Sequence, residues 1–97
     1  MQNDLAEVLN ELVLVIQDRK QNPTAGSYTS QLFDFGKTEI DKKLGEEAIE
    51  VIVASAEEDR QQILYESADV IYHLLVLLAQ HDIDIDELYR ELAKRRR

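Results

Sequence analysis

Apolar residues recur at helical spacing along nearly the whole chain. Leu5, Val8, Leu9, Leu12, Val13 and Ile16 follow one another at three and four residues, the stripe of an amphipathic helix. Asp4-x-x-Glu7 places a capping box in front of that stripe. Asn22-Pro23 ends it, because the residue before proline disfavours the α region. Gln21–Gln31, with Pro23 and Gly26, reads as the one long loop, and a short helical turn around Leu32–Phe35 follows, stopped by Gly36. A second helix is predicted from about Thr38 to Glu57. A third, capped by Asp59-x-x-Gln62, is predicted over about Arg60–Gln80. Asp84-x-x-Glu87 caps a fourth, with Ile83 and Leu88 placed for a hydrophobic staple. The expected fold is therefore all-α, a single domain over residues 1–97 with four main helices. The third helix is apolar on almost every side, more than a monomer of this length can cover. Helices two and three are accordingly expected to form a bundle core shared in a homodimer. Tyr65, Tyr72 and Tyr89 read as core or interface residues.

The polar residues that break this pattern carry the chemistry. On a helical wheel Glu47 falls in the middle of the stripe made by Ile40, Leu44, Val51 and Ala54, with Glu50 on its edge and Glu46 further round. The third helix repeats the feature, because Glu66, Asp69, His73 and Gln80 form a narrow polar lane on an otherwise apolar surface. A lone carboxylate on a core face costs several kcal/mol to desolvate, so buried charges are paired or coordinate metals. The plain alternative is a solvated face with ion pairs Glu39–Lys43, Lys42–Glu46 and Lys43–Glu47. Two acidic pairs on adjacent apolar helices, Glu47/Glu50 and Glu66/Asp69, favour a cation held between the helices. Gly45, inside the second helix, costs about 1 kcal/mol against alanine and suggests close approach of a backbone or ligand. His73 reads as a hydrogen-bonded core histidine or a support for the site rather than a direct ligand.

Composition narrows the cation and its partner. The chain has no cysteine, so disulfides and thiolate metal sites are excluded. Carboxylates alone select a hard divalent ion, with Mg²⁺ the default and Mn²⁺ a substitute. A formal net charge of −9 argues against nucleic acid as a partner. Leu5–Ile16 carries Glu7 and Glu11, unlike a signal peptide. The longest apolar run, Leu74–Ala79, falls short of a membrane span, so no membrane partner and a cytoplasmic location are expected. Lys37, Lys42 and Lys43 cluster just before the acidic motif, a patch suited to a polyphosphate whose charge is shared with the metal. Lys94–Arg97 are explained by the dipole of the last helix. Ser27, Tyr28 and Thr29 either start a helix or meet a ligand upstream of the lysines. The reading from the residues is metal-assisted hydrolysis of a phosphate ester or phosphoanhydride.

Glu46-Glu47-x-x-Glu50 followed by Glu66-x-x-Asp69 resembles the signature of the all-α nucleoside triphosphate pyrophosphatase superfamily. Ser27-Tyr28-Thr29, the run Lys42–Glu50 and the run Glu66–Leu78 together are similar to the phosphoribosyl-ATP pyrophosphatase family, over about residues 5 to 93. That resemblance implies Mg²⁺-dependent hydrolysis of 1-(5-phosphoribosyl)-ATP to 1-(5-phosphoribosyl)-AMP and pyrophosphate, the second step of histidine biosynthesis. It implies Glu47, Glu50, Glu66 and Asp69 as metal ligands, and Glu46 as a group beside them that helps orient water. Lys42, Lys43 and Lys37 would meet phosphates, and Ser27, Tyr28 and Thr29 would shape the substrate pocket. Ala56 stands where many relatives carry a lysine. Many relatives are fused to a cyclohydrolase with metal-binding cysteines, and this short, cysteine-free sequence is expected to stand alone. Two rivals remain. One is a sister enzyme acting on ordinary or damaged nucleoside triphosphates; the other is a helical dimerisation module with no chemistry, whose acidic lane would face solvent.

Overall fold

The computed structural model describes residues 4–96, and among these it contains five α-helices and no strand. They are α1 (Leu5–Gln21), α2 (Tyr28–Phe35), α3 (Lys37–Ala56), α4 (Arg60–Gln80) and α5 (Ile85–Ala93). Four of these follow the apolar periodicity. Asp4 accepts from the Ala6 N–H, Asp59 from Gln62, and Asp84 and Glu87 complete a reciprocal capping box.

The fifth helix, α2, corrects the expected four. Its first turn is made of the polar run that reads as loop. The Ser27 hydroxyl accepts from the Ser30 N–H and starts the helix four residues before Leu32. The turn left no hydrophobic period because the residues it buries are Thr29 and Ser30. Both hydroxyls are satisfied internally: Thr29 bonds the Tyr72 hydroxyl, while Ser30 accepts from Thr24 N–H and donates to the Arg19 carbonyl. Gly36, at φ +100°, sits in the left-handed region where only glycine is unstrained, and it turns the chain directly from α2 into α3.

One residue or two from every helix meet in the core: Ile16, Leu32, Ile40, Leu75, Val76 and Ile85. Leu9, Leu12, Val13, Phe33, Tyr72, Leu88 and Tyr89 pack around them. Ile40 lies near the start of α3 and Leu75–Val76 near the end of α4, so the core occupies the open end of the α3–α4 hairpin. Lys20 bolts the same end, donating to the Ala79 carbonyl at 2.7 Å and to Asp82 at 2.8 Å. At Asp82 the hydrogen bond and charge of Lys20 hold the carboxyl below the usual aspartate range.

Beyond that core the hairpin projects with its apolar residues uncovered. Ile49, Ile52 and Val53 on α3, and Leu64, Tyr65 and Ile71 on α4, are all largely exposed, Ile52 at 67 % and Tyr65 at 64 %. The buried third helix read from the sequence is thus buried only in its C-terminal half, at His73, Leu75 and Val76. By length and composition α4 is also apolar enough to cross a membrane, which the longest unbroken run does not convey. It carries Glu66 and Asp69, however, and acids are costly in hydrocarbon. At the chain end, Lys94 pairs with Glu91, and Arg95 donates to the Glu91 carbonyl at 2.7 Å, as expected of cations closing a helix. Arg97 lies outside the described residues.

Candidate metal centre

The hairpin brings Glu47 of the first acidic pair together with both members of the second partway along its length. Glu47 of α3 and Glu66 and Asp69 of α4 each offer a carboxylate oxygen, and these atoms all lie within 4.8 Å of one another. All three are half-buried. This follows from the helical repeat: Glu47 shares a face with Ile40 and Ala54, both buried against the rest of the protein, and Glu66 and Asp69 stand one turn apart on the lane that leads to buried His73. Glu50, the fourth expected ligand, is exposed and lies outside that close group. It is nonetheless a near neighbour. Partial burial first, and then the charges of Glu50, Glu47 and Asp69 in that order, push the Glu66 carboxyl above the ordinary glutamate range.

The expected ion pairs do not form. Among the described residues Lys43 reaches Glu46 at 3.7 Å and Lys37 reaches Asp41 at 2.7 Å, leaving Glu47 outside any salt bridge. Glu46 is exposed and lies outside the three-carboxylate group. Lys42 is exposed, and Ala56 is the exposed last residue of α3. Gly45 faces open space: a side chain there would meet nothing within 4 Å, so among the described residues no backbone makes the close approach its presence suggested.

Ser27, Tyr28 and Thr29 divide their work. Ser27 caps α2, and Thr29 is buried against Tyr72. Tyr28 is the one whose side chain borders the acids: burial raises its pKa, Lys43 lowers it, and Glu47 and Asp69 raise it again. The net effect keeps the phenol protonated at neutral pH. Its hydroxyl lies 2.8 Å from His73 Nε2, and His73 Nδ1 lies 2.8 Å from the Asp69 carbonyl. The two rings meet edge to face, with centroids 5.7 Å apart. Sequence reading could find each of these residues but not the pairing, since 45 positions separate Tyr28 from His73.

The donor set suits a hard divalent cation. Three half-buried carboxylates converge, and among the described residues no lysine or arginine forms a salt bridge with any of them.

Known proteins of the same kind are numerous. The phosphoribosyl-ATP pyrophosphohydrolase family pattern matches residues 9–96. The phosphoribosyl-ATP pyrophosphatase of Haloarcula marismortui is 48% identical over 99% of this chain and 100% of its own length. That of Clostridium acetobutylicum is 48% identical over 95% of this chain and 84% of its own. The histidine biosynthesis bifunctional protein of Pyrococcus furiosus is 53% identical over 93% of this chain, which spans 42% of that longer protein. With a match that runs through α1 to α5 and takes in both acidic pairs, the chain belongs to the phosphoribosyl-ATP pyrophosphohydrolase family.

Proposed function

We propose that this protein hydrolyses 1-(5-phosphoribosyl)-ATP to 1-(5-phosphoribosyl)-AMP and pyrophosphate, the second step of histidine biosynthesis, with Mg²⁺ held by Glu47, Glu66 and Asp69 and with Glu50 beside them. The observation that carries the reading is the convergence of three carboxylates from two helices within 4.8 Å, in a member of this family. Bound there, the ion supplies neutralisation of phosphate charge and activation of water.

The chain's own groups do the rest. Water adds across the bond between the α and β phosphorus atoms: its oxygen joins one phosphorus, the bond from that phosphorus to the bridging oxygen breaks, and phosphoribosyl-AMP and pyrophosphate separate. Lys42 is exposed with no salt bridge among the described residues, and Lys43 is held only loosely by Glu46, so both are available to phosphate oxygens. Lys37 must first release Asp41. Glu46, next to Glu47 in the chain and paired with Lys43, helps to orient the water in this reading once that lysine turns to substrate. Tyr28, held by His73, shapes the substrate pocket together with Ser27 and Thr29 in this reading. The cysteine-free composition supports a cytoplasmic setting.

Turnover of phosphoribosyl-ATP, plain ATP and deoxynucleoside triphosphates, measured side by side by pyrophosphate release, tests the substrate. Phosphoribosyl-ATP is expected to be preferred by orders of magnitude in kcat/KM. Equal rates on ordinary triphosphates would move the chain to a sister activity.

A second copy of the chain covers the bare hairpin in this reading. Ile49, Ile52, Val53, Leu64, Tyr65 and Ile71 form an exposed apolar surface that a monomer leaves wet, at roughly 25 cal/mol for each Å². Ile52→Arg would bury a charge in that interface. It is expected to convert a dimer into a monomer in sedimentation, with a large fall in melting temperature. A wild-type monomer at micromolar concentration would remove the proposal.

A further inference from the structure

Of the three glycines in the chain, only Gly45 stands inside a helix. Gly26 and Gly36 have positive φ; Gly45 does not, so no left-handed turn requires it. Alanine would favour the helix more. A methyl group there would meet nothing within 4 Å. Among the described residues, then, the missing side chain serves no contact within the chain.

Its neighbours on the helix point outward with it. Ala48, Ile49, Ile52 and Ala56 follow Gly45 at three, four, seven and eleven residues, and all are exposed, Ile49 at 61 % and Ile52 at 67 %. That is the spacing of a face that packs on another helix. Helix α3 therefore carries two such faces. Ile40, Leu44, Glu47, Val51 and Ala54 make the first, and it turns into the protein. The second is bare, and it stops at exposed Asp41, four residues before Gly45, which gives it a polar rim.

The position of this face narrows what can cover it. Glu47 is two residues on from Gly45, roughly 200° round the helix, so a cation or substrate at the acids lies on the other side of α3. A net charge of −9 argues against nucleic acid. The area suits a second copy of the chain. Ile49, Ile52, Val53, Leu64, Tyr65 and Ile71 leave bare on the order of 100 Å² each, together most of the roughly 800 Å² that one partner gives to a standard interface.

We propose that a helix of a second copy crosses α3 at Gly45 and Ala48, and that glycine is needed at position 45 because the two backbones approach closely there. The distance between packed helices is set by the side chains at their contact, and the smallest residues allow the closest crossing. The inference rests on the dimer reading and adds to it the contact point on α3.

The test uses the full chain and reads the melting temperature together with the dimer Kd from sedimentation equilibrium. A Gly45 that faced water would make Gly45→Ala stabilising: helix preference alone would raise Tm by about 4 to 8 °C and leave the Kd unchanged. The proposal expects the opposite sign. G45A should raise the dimer Kd at least about tenfold, the scale of a methyl group forced into a packed contact, and should lower Tm at micromolar protein. Gly45→Leu should be a monomer at that concentration. The added methyl of G45A meets nothing within its own chain, so its far-ultraviolet circular dichroism should match wild type. A higher Tm with a smaller change in Kd overturns the proposal. So does an unchanged Kd with weakened magnesium binding or turnover, which would assign the glycine to a ligand. A wild-type monomer would instead overturn the dimer reading itself.

Discussion

Glu47→Gln and Asp69→Asn are each expected to reduce hydrolysis of phosphoribosyl-ATP by about a thousandfold, the scale of effect that follows loss of a group acting on transition-state charge. Both residues offer oxygens to the group of three, and neither belongs to the core of Ile16, Leu32, Ile40, Leu75, Val76 and Ile85. Far-ultraviolet circular dichroism should therefore be unchanged. The metal-free variants should also melt no lower than wild type, and higher if anything. Each substitution deletes one of the charges that press on Glu66. A residue whose loss removes activity without costing stability is there for chemistry. Wild-type turnover in either variant would place the reaction elsewhere, and a collapse of helical signal would make the acids structural.

How far the sequence foretold this site depends on which physical signal each residue left. Glu47 was legible because an acid in the middle of an apolar stripe contradicts the helical period around it. Glu66 and Asp69 were legible as a lane on an apolar helix, and their capped helices came out close to their observed bounds. Glu50 shares the same spacing, yet it stands on the edge of the stripe, and a wheel does not say on which side of an edge a side chain settles. Helix α2 was hidden because Thr29 and Ser30 bury hydroxyls whose partners, Tyr72, Thr24 and the Arg19 carbonyl, are fixed by tertiary structure. The hydrogen bond from Tyr28 to His73 was hidden for the same reason. Lys43 pairs with Glu46 one turn away where the wheel also offered Glu39 and Glu47, and that choice leaves Glu47 free of lysine.

The second large effect concerns stability. Glu66 is raised by burial and by three neighbouring carboxylates, so between the ordinary glutamate pKa and the raised one the folded protein binds more protons there than the unfolded chain does. Its contribution is favourable below the ordinary glutamate pKa and is lost as pH rises through the raised one. Near neutral pH the metal-free protein therefore carries unrelieved repulsion. A cation bound only by the folded state removes it and adds RT ln(1 + [L]/Kd). At magnesium about a hundredfold above Kd this is about 2.7 kcal/mol. For a domain of this size that corresponds to a rise in Tm of about 10 to 20 °C. The rise should shrink as pH falls through the raised Glu66 value, because protons then compete for the same oxygens.

The melting temperature of dialysed protein at pH 7, with and without about 10 mM magnesium, addresses the carboxylate centre most directly, since it needs neither substrate nor variant. The expected result is a rise of about ten degrees or more that chelator reverses and that Asp69→Asn largely abolishes. An unmoved Tm would mean that Glu47, Glu66 and Asp69 come together for some purpose other than holding a divalent ion.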